Sequence, residues 1–138
     1  MKSDFEVKER VRRSDVDGSG TINFAAYARL VEAAEHETLR SLGFDDAAFR
    51  RLGIQLRHVH LDFDFYKPVA VDDILTLHTR IAGVGAHSVR FKVDVWRASD
   101  RAQTASLTVV GACVDGSNRS VSMPAELADA LRGRLSPD

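Results

Sequence analysis

Two aspartates flanking a single valine open the stretch with the most chemical potential, Asp15-Val16-Asp17-Gly18-Ser19-Gly20-Thr21-Ile22. A carboxylate with a reference pKa of about 3.9 is ionised at neutral pH, so each is competent as a base, a nucleophile or a cation ligand. The competing explanation is conformational, because an aspartate in a glycine-rich loop bonds its own backbone two residues on and makes a turn. A second set, His58, His60, Asp62 and Asp64, alternates with Val59, Leu61, Phe63 and Phe65. That period of two places the four polar residues on one strand face. Tyr27 and Glu32 either line a pocket or pack on a sheet. Cys113 lies in the apolar run Val109-Val110-Gly111-Ala112-Cys113-Val114 and is expected to be a small core hydrophobe.

The loop is similar to the start of an EF-hand. With Asp15 at position one, Asp17, Ser19, the Thr21 carbonyl and Asn23 supply oxygens and Gly20 the sharp turn, but position twelve, where a bidentate glutamate belongs, is Ala26. That substitution removes two of about seven oxygens and one charge, and no second loop pairs with this one. The same residues resemble the aspartyl-phosphatase motif of haloacid-dehalogenase enzymes, yet Arg12-Arg13-Ser14 precedes them instead of an apolar strand. The His-x-His pattern mimics metallohydrolase ligands, which sit in much longer barrels. A solvated or subunit-facing strand surface is the expectation there, and neither metal nor cofactor is expected.

Around these groups the hydrophobic periodicity changes once. Phe5, Val7 and Val11 share a two-residue phase and predict a strand before the loop. After it Phe24, Tyr27, Leu30, Val31 and Ala34 recur at helical spacing, extended by Leu39 and Leu42. This predicts a long helix from Asn23 to Leu42, capped by Asn23 or Thr21 and closed by Gly43. Asp45 opens a short helix to Leu52 that turns Ala48, Phe49 and Leu52 inward. From Ile54 the pattern is sheet: a strand ending at Lys67-Pro68-Val69, then strands marked by Leu75 to Ile81, Val89 to Val95 and Thr104 to Val114. Turn residues at Gly83-Val84-Gly85 and Ala98-Ser99-Asp100 make the last three a meander. Pro124 begins a final amphipathic helix with Leu127, Ala130, Leu131 and Leu135. One long helix with several antiparallel strands is an α+β architecture, in which the sheet buries its apolar face on the helix.

Composition bounds the rest. At 138 residues, 44% hydrophobic and 28% charged, the chain (1–138) fits one globular domain. The net charge is -1, without the basic excess of a nucleic-acid binder, and Arg80, Arg90, Lys92 and Arg97 are expected on a charged outer sheet face. Without a long apolar run or a signal-like start, the expectation is a cytoplasmic protein with no membrane partner.

Five features in order resemble the 4-hydroxybenzoyl-CoA thioesterase family of hotdog-fold acyl-CoA thioesterases. Asp15-Val16-Asp17-Gly18-Ser19-Gly20 is similar to the family's Asp-x-Asp-x-x-Gly loop; Phe24-Ala25-Ala26-Tyr27 with Glu32-Ala33-Ala34 follows it as the central helix does, and Leu39 to Gly43 resembles that helix's end. Phe65-Tyr66-Lys67-Pro68 with Asp73-Ile74-Leu75, and Val114-Asp115 leading to Met123-Pro124, complete the series.

The resemblance implies a hotdog fold, a curved antiparallel sheet wrapped around one long central helix. It implies a homodimer or homotetramer with substrate between subunits, and hydrolysis of an acyl-CoA or an acyl carrier protein thioester. It carries the role of nucleophile or general base to Asp17. Backbone amides near Asn23 and Phe24, at the positive end of the helix, would polarise the carbonyl. Where many relatives carry a histidine this chain has Asn23-Phe24, leaving Asn23 to take that part. Gly20 and Tyr27 are carried over as substrate-binding. In place of consecutive basic residues for the CoA phosphates the chain has Val84-Gly85-Ala86-His87-Ser88, so His87 and Arg90 are the candidates there. A non-hydrolytic acyl-binding protein is the alternative the resemblance leaves open.

Overall fold

The computed structural model describes residues 5–136. A strand β1 (Phe5–Arg10) leads through a 3-10 turn at Arg13–Asp15 and the aspartate loop into helix α1 (Phe24–Ser41). Helix α2 (Asp46–Leu52) follows, then strands β2 (Ile54–Phe65), β3 (Ile74–Val84), β4 (Ser88–Arg97) and β5 (Gln103–Asp115), and helix α3 (Ala125–Arg132). The five strands form one sheet in the order β1-β3-β4-β5-β2, every adjacent pair antiparallel. The predicted meander is β3-β4-β5, and the fold is the α+β hotdog arrangement, with the sheet laid against α1.

Local chemistry explains where α1 starts and stops. The Asn23 side chain accepts from the Ala26 amide at 2.9 Å, satisfying one of the donors that a helix start leaves unpaired. Gly43, at φ +94°, takes the left-handed exit that a side chain would resist. Between these ends Tyr27, Leu30, Val31, Ala34 and Leu39 are buried against Leu75, Leu77, Phe91, Val93, Leu107 and Val109 of the sheet. Asp45 caps α2 through the Ala48 amide at 3.0 Å, and Cys113 is buried in β5.

Three placements depart from the periodicity. The β2–β5 register pairs His58 with Gly111 but His60 with Val110, so Val59 is an extra, bulged residue. Neighbouring residues of β5 face opposite sides. His58 therefore turns toward α1 with Leu61, Phe63 and Phe65, while His60, Asp62 and Asp64 face outward; the four do not share a face. Arg97 pairs with Leu75 on the inner face, not the outer one, and its guanidinium donates to the Pro68 carbonyl at 2.6 Å and to Asp100 at 2.8 Å. Leu135 lies beyond the end of α3 and is exposed.

Sheet polarity sets the geography of the site. Arg10, Ile74, Arg97, Ala105 and Phe65 mark one end of the sheet, and Val84, Ser88, Ala112 and Ile54 the other. Tyr27 packs on Phe65 with ring centroids 5.3 Å apart, so the start of α1 and the aspartate loop belong to the Phe65 end. No helix among the described residues is long and apolar enough to cross a membrane.

Candidate active site

The loop that delivers Asp17 is a miniature hairpin. Val16 and Ile22 form an antiparallel bridge, the Asp17 amide donates to the Thr21 carbonyl at 2.9 Å, and Gly20 turns the chain at φ +85°. Gly20 thus shapes the loop with its backbone. Within it the two aspartates have opposite environments. Asp15 is buried, and its Oδ2 accepts from the Arg12 amide at 2.8 Å and from Arg29 Nη2 at 2.9 Å. Arg29 projects from α1, so this bond fastens the loop to the helix. The carboxylate that would head a calcium loop is committed to an arginine, and among the described residues no cluster of three or more metal-ligating side chains occurs.

Asp17 is exposed. Its Oδ1 accepts from Ser19 Oγ at 2.6 Å, the Ser19 amide at 2.9 Å and the Thr21 amide at 3.2 Å; Oδ2 takes none of these three bonds. The Ser19 hydroxyl first, then the Ser19 and Thr21 amides, hold the carboxyl below its ordinary range, because each bond favours the charged form. One oxygen is thus clamped and the other is left to solvent.

The structure corrects the assignment at the helix start. The Asn23 amide donates to the Asp15 carbonyl at 2.9 Å, and the Asn23 side chain is the cap on Ala26, so neither group of Asn23 is available to a substrate. The next two amides, of Phe24 and Ala25, carry no hydrogen bond among the described residues. They point from the positive end of an 18-residue helix, where an oxyanion is favoured. Phe24 itself is 70% exposed at the loop's edge.

Tyr27 is a core residue, not a pocket wall: it is fully buried, and burial pushes its phenol up, with a Thr104 hydrogen bond opposing. His87 and Arg90 lie at the other end of the sheet from Asp17. The His87 carbonyl accepts from the Cys113 amide at 2.7 Å, and Arg90 reaches the Ala82 carbonyl at 3.2 Å. Within the chain these residues and the aspartate loop are not brought together.

Two cavities run along α1. The smaller, of about 310 Å³, begins at Ala25 and is walled by Ala28, Glu32, His58 and Leu61. The larger, of about 770 Å³, extends toward α2 between Leu39, Phe49 and Leu56. Arg29, Glu32 and His58 border both, whereas Asp17 borders neither. A pair that the periodicity missed sits at their junction: Glu35, only 7% exposed, meets His58 Nε2 at 2.7 Å. Burial raises the Glu35 carboxyl above its usual range, and the His58 hydrogen bond opposes this. The signal was present in the sequence, since Glu35 follows Val31 and precedes Leu39 by one helical step of four on the apolar stripe.

The thioesterase superfamily model matches residues 19–104, more than half the chain. The chain belongs to the thioesterase superfamily. The matched segment covers α1 and most of the sheet but begins two residues after Asp17. This thioesterase is 27% identical over 135 residues to the acyl-CoA thioesterase YbgC of Haemophilus influenzae, covering 95% of this chain and 96% of that one. It is 24% identical over 128 residues to a putative esterase of Aquifex aeolicus, covering 93% and 98%. The solved structure of Slr0204 from Synechocystis, a 1,4-dihydroxy-2-naphthoyl-CoA thioesterase, superposes with a TM-score of 0.83 at 21% identity, over 93% of this chain and 95% of that one. That likeness shows the fold.

Proposed function

We propose that this thioesterase hydrolyses acyl-CoA thioesters, adding water across the carbonyl–sulfur bond to release a carboxylic acid and free coenzyme A. The observation that carries the assignment of roles is the pairing of a clamped, ionised carboxylate with a helix mouth whose first two amides are unengaged. Asp17 either attacks the carbonyl carbon through Oδ2 or takes the proton of the attacking water. The Phe24 and Ala25 amides receive the negative charge that develops on the carbonyl oxygen. Asp15, Asn23 and Arg29 hold these two parts in place.

The working unit is a homodimer joined along β2. This strand is a sheet edge of 12 residues with Val59 at 52%, Leu61 at 43% and Phe65 at 54% exposure, a combination that invites pairing with a second copy. A two-fold axis runs the two β2 strands antiparallel. The β3–β4 turn of one copy then approaches the Asp17 end of the other, which supplies the second wall that the aspartate lacks within a protomer. The same geometry gives His87 and Arg90 a route to the carrier end of the substrate. All of 1–138 acts as one domain in this unit.

The test is thiol release from short, long and aromatic acyl-CoAs, with acyl carrier protein thioesters alongside. Asp17→Ala is expected to lose about 100-fold or more in turnover, with melting temperature and oligomer size retained. Unchanged turnover would remove Asp17 from the reaction.

A further inference from the structure

Glu35 presents an unusual balance. Its Oε1 is bonded to His58, but its Oε2 is buried without any hydrogen-bond partner. An unsatisfied carboxylate oxygen carries a desolvation penalty, and buried polar atoms in folded proteins nearly always find a partner. The residue also lines the larger cavity, beside the His58 wall that this cavity shares with the smaller one starting at Ala25. Position along the helix fixes a length. Ten residues separate Ala25 from Glu35, about 15 Å of helix rise, and side chains lean back toward the N-terminus by part of a turn. An acyl group whose carbonyl sits at the Phe24 and Ala25 amides therefore brings the atom roughly 10 Å further along to the Glu35 carboxylate.

We propose that Glu35, oriented by His58, is a specificity residue that accepts a hydrogen bond from a hydroxyl group at the far end of the acyl chain. The inference rests on the hydrolase reading above and adds the substrate class: acyl groups that are apolar along Ala28 and Leu61 and end in a hydrogen-bond donor. A bare alkyl end leaves Oε2 without a partner, whereas a hydroxyl supplies one. The His58 ring keeps Oε1 occupied and leaves Oε2 as the oxygen without a partner. Arg29 makes no bond to it: its Nη2 is held by Asp15 and its Nη1 lies 3.7 Å from Glu9, while its Nε is, like Oε2, buried without a partner.

Matched pairs test this: octanoyl-, decanoyl- and dodecanoyl-CoA against their terminal hydroxy and terminal methoxy counterparts, read as kcat/KM ratios by thiol release. The wild type is expected to prefer the hydroxy member of at least one pair by about tenfold to a hundredfold, the range for a hydrogen bond to a charged group. The methoxy chain, which cannot donate, gains nothing. Glu35→Leu is expected to bring the ratio to about one or below, and the isosteric Glu35→Gln to lower it at least about threefold. Hydrolysis of the plain chains with hydroxy ratios near one throughout overturns the inference alone, as does a preference that survives in both variants. No thiol release from any of them overturns the hydrolase reading and the inference together.

Discussion

Replacing Asp15 with alanine separates the two aspartates of the loop. The Asp15 carboxylate is nearly inaccessible and takes two hydrogen bonds on one oxygen, from the Arg12 amide at 2.8 Å and Arg29 at 2.9 Å. Bonds to a charged group contribute about 1.5–3 kcal/mol each. The Arg29 side chain is 34% exposed, so water reclaims part of its interaction and that share is reduced. The sum expected for Asp15→Ala is about 2–3 kcal/mol. A chain of this length loses about 3 °C per kcal/mol, so the melting temperature falls by about 6–9 °C. Asp15→Asn keeps an acceptor and loses the charge, and is expected to fall by about half as much. Thermal unfolding followed by circular dichroism at neutral pH measures both. Asp17→Ala in the same experiment is expected to melt with the wild type, because its carboxylate stands in solvent. An Asp15→Ala melting point within about 2 °C of the wild type would refute the view that Asp15 fastens the loop to α1.

Three further outcomes are expected. The Ser19 hydroxyl favours ionised Asp17, so the acidic limb of kcat/KM lies below the ordinary aspartate range and Ser19→Ala moves it upward toward that range; a limb that stays put, over the range where the fold persists, contradicts the clamp. Placing a charge on the exposed β2 edge, as Leu61→Asp, is expected to convert a dimer to monomer by sedimentation velocity at micromolar protein, and an unaltered dimer places the contact elsewhere. Cys113 is buried and its thiol is raised by burial, so a disulfide reagent is expected to leave it unmodified in the native protein and to titrate it after denaturation; rapid native labelling would show that β5 opens.

Much of this arrangement was legible in the sequence, because the main signals were local. The Tyr27, Leu30, Val31 and Ala34 spacing gave the helix, Asn23 its cap, Gly43 its exit, and the alternation from Leu75 to Val114 the meander. Positions decided by tertiary contacts were not legible. Nothing in Asn23 announces that its amide belongs to Asp15, which moves the polarising pair to Phe24 and Ala25. Tyr27 carries the same spacing whether it lines a pocket or fills the core, and its contact with Phe65 decides for the core. Strict alternation misplaced His58, since one unpaired residue in β2 shifts the phase of everything before it. Charge alone put Arg97 outside, where its pairing with Leu75 puts it inside.

The bulge at Val59 also decides how the two histidines beside it are divided. Excising that one codon would leave the His58 imidazole opposite Gly111 on the inner side, because His60 already pairs with the neighbouring Val110. The extra residue thus lets two histidines spaced by two reach opposite sides of the sheet, which a strictly alternating strand forbids, and so delivers one imidazole to the helix while its neighbour stays in solvent.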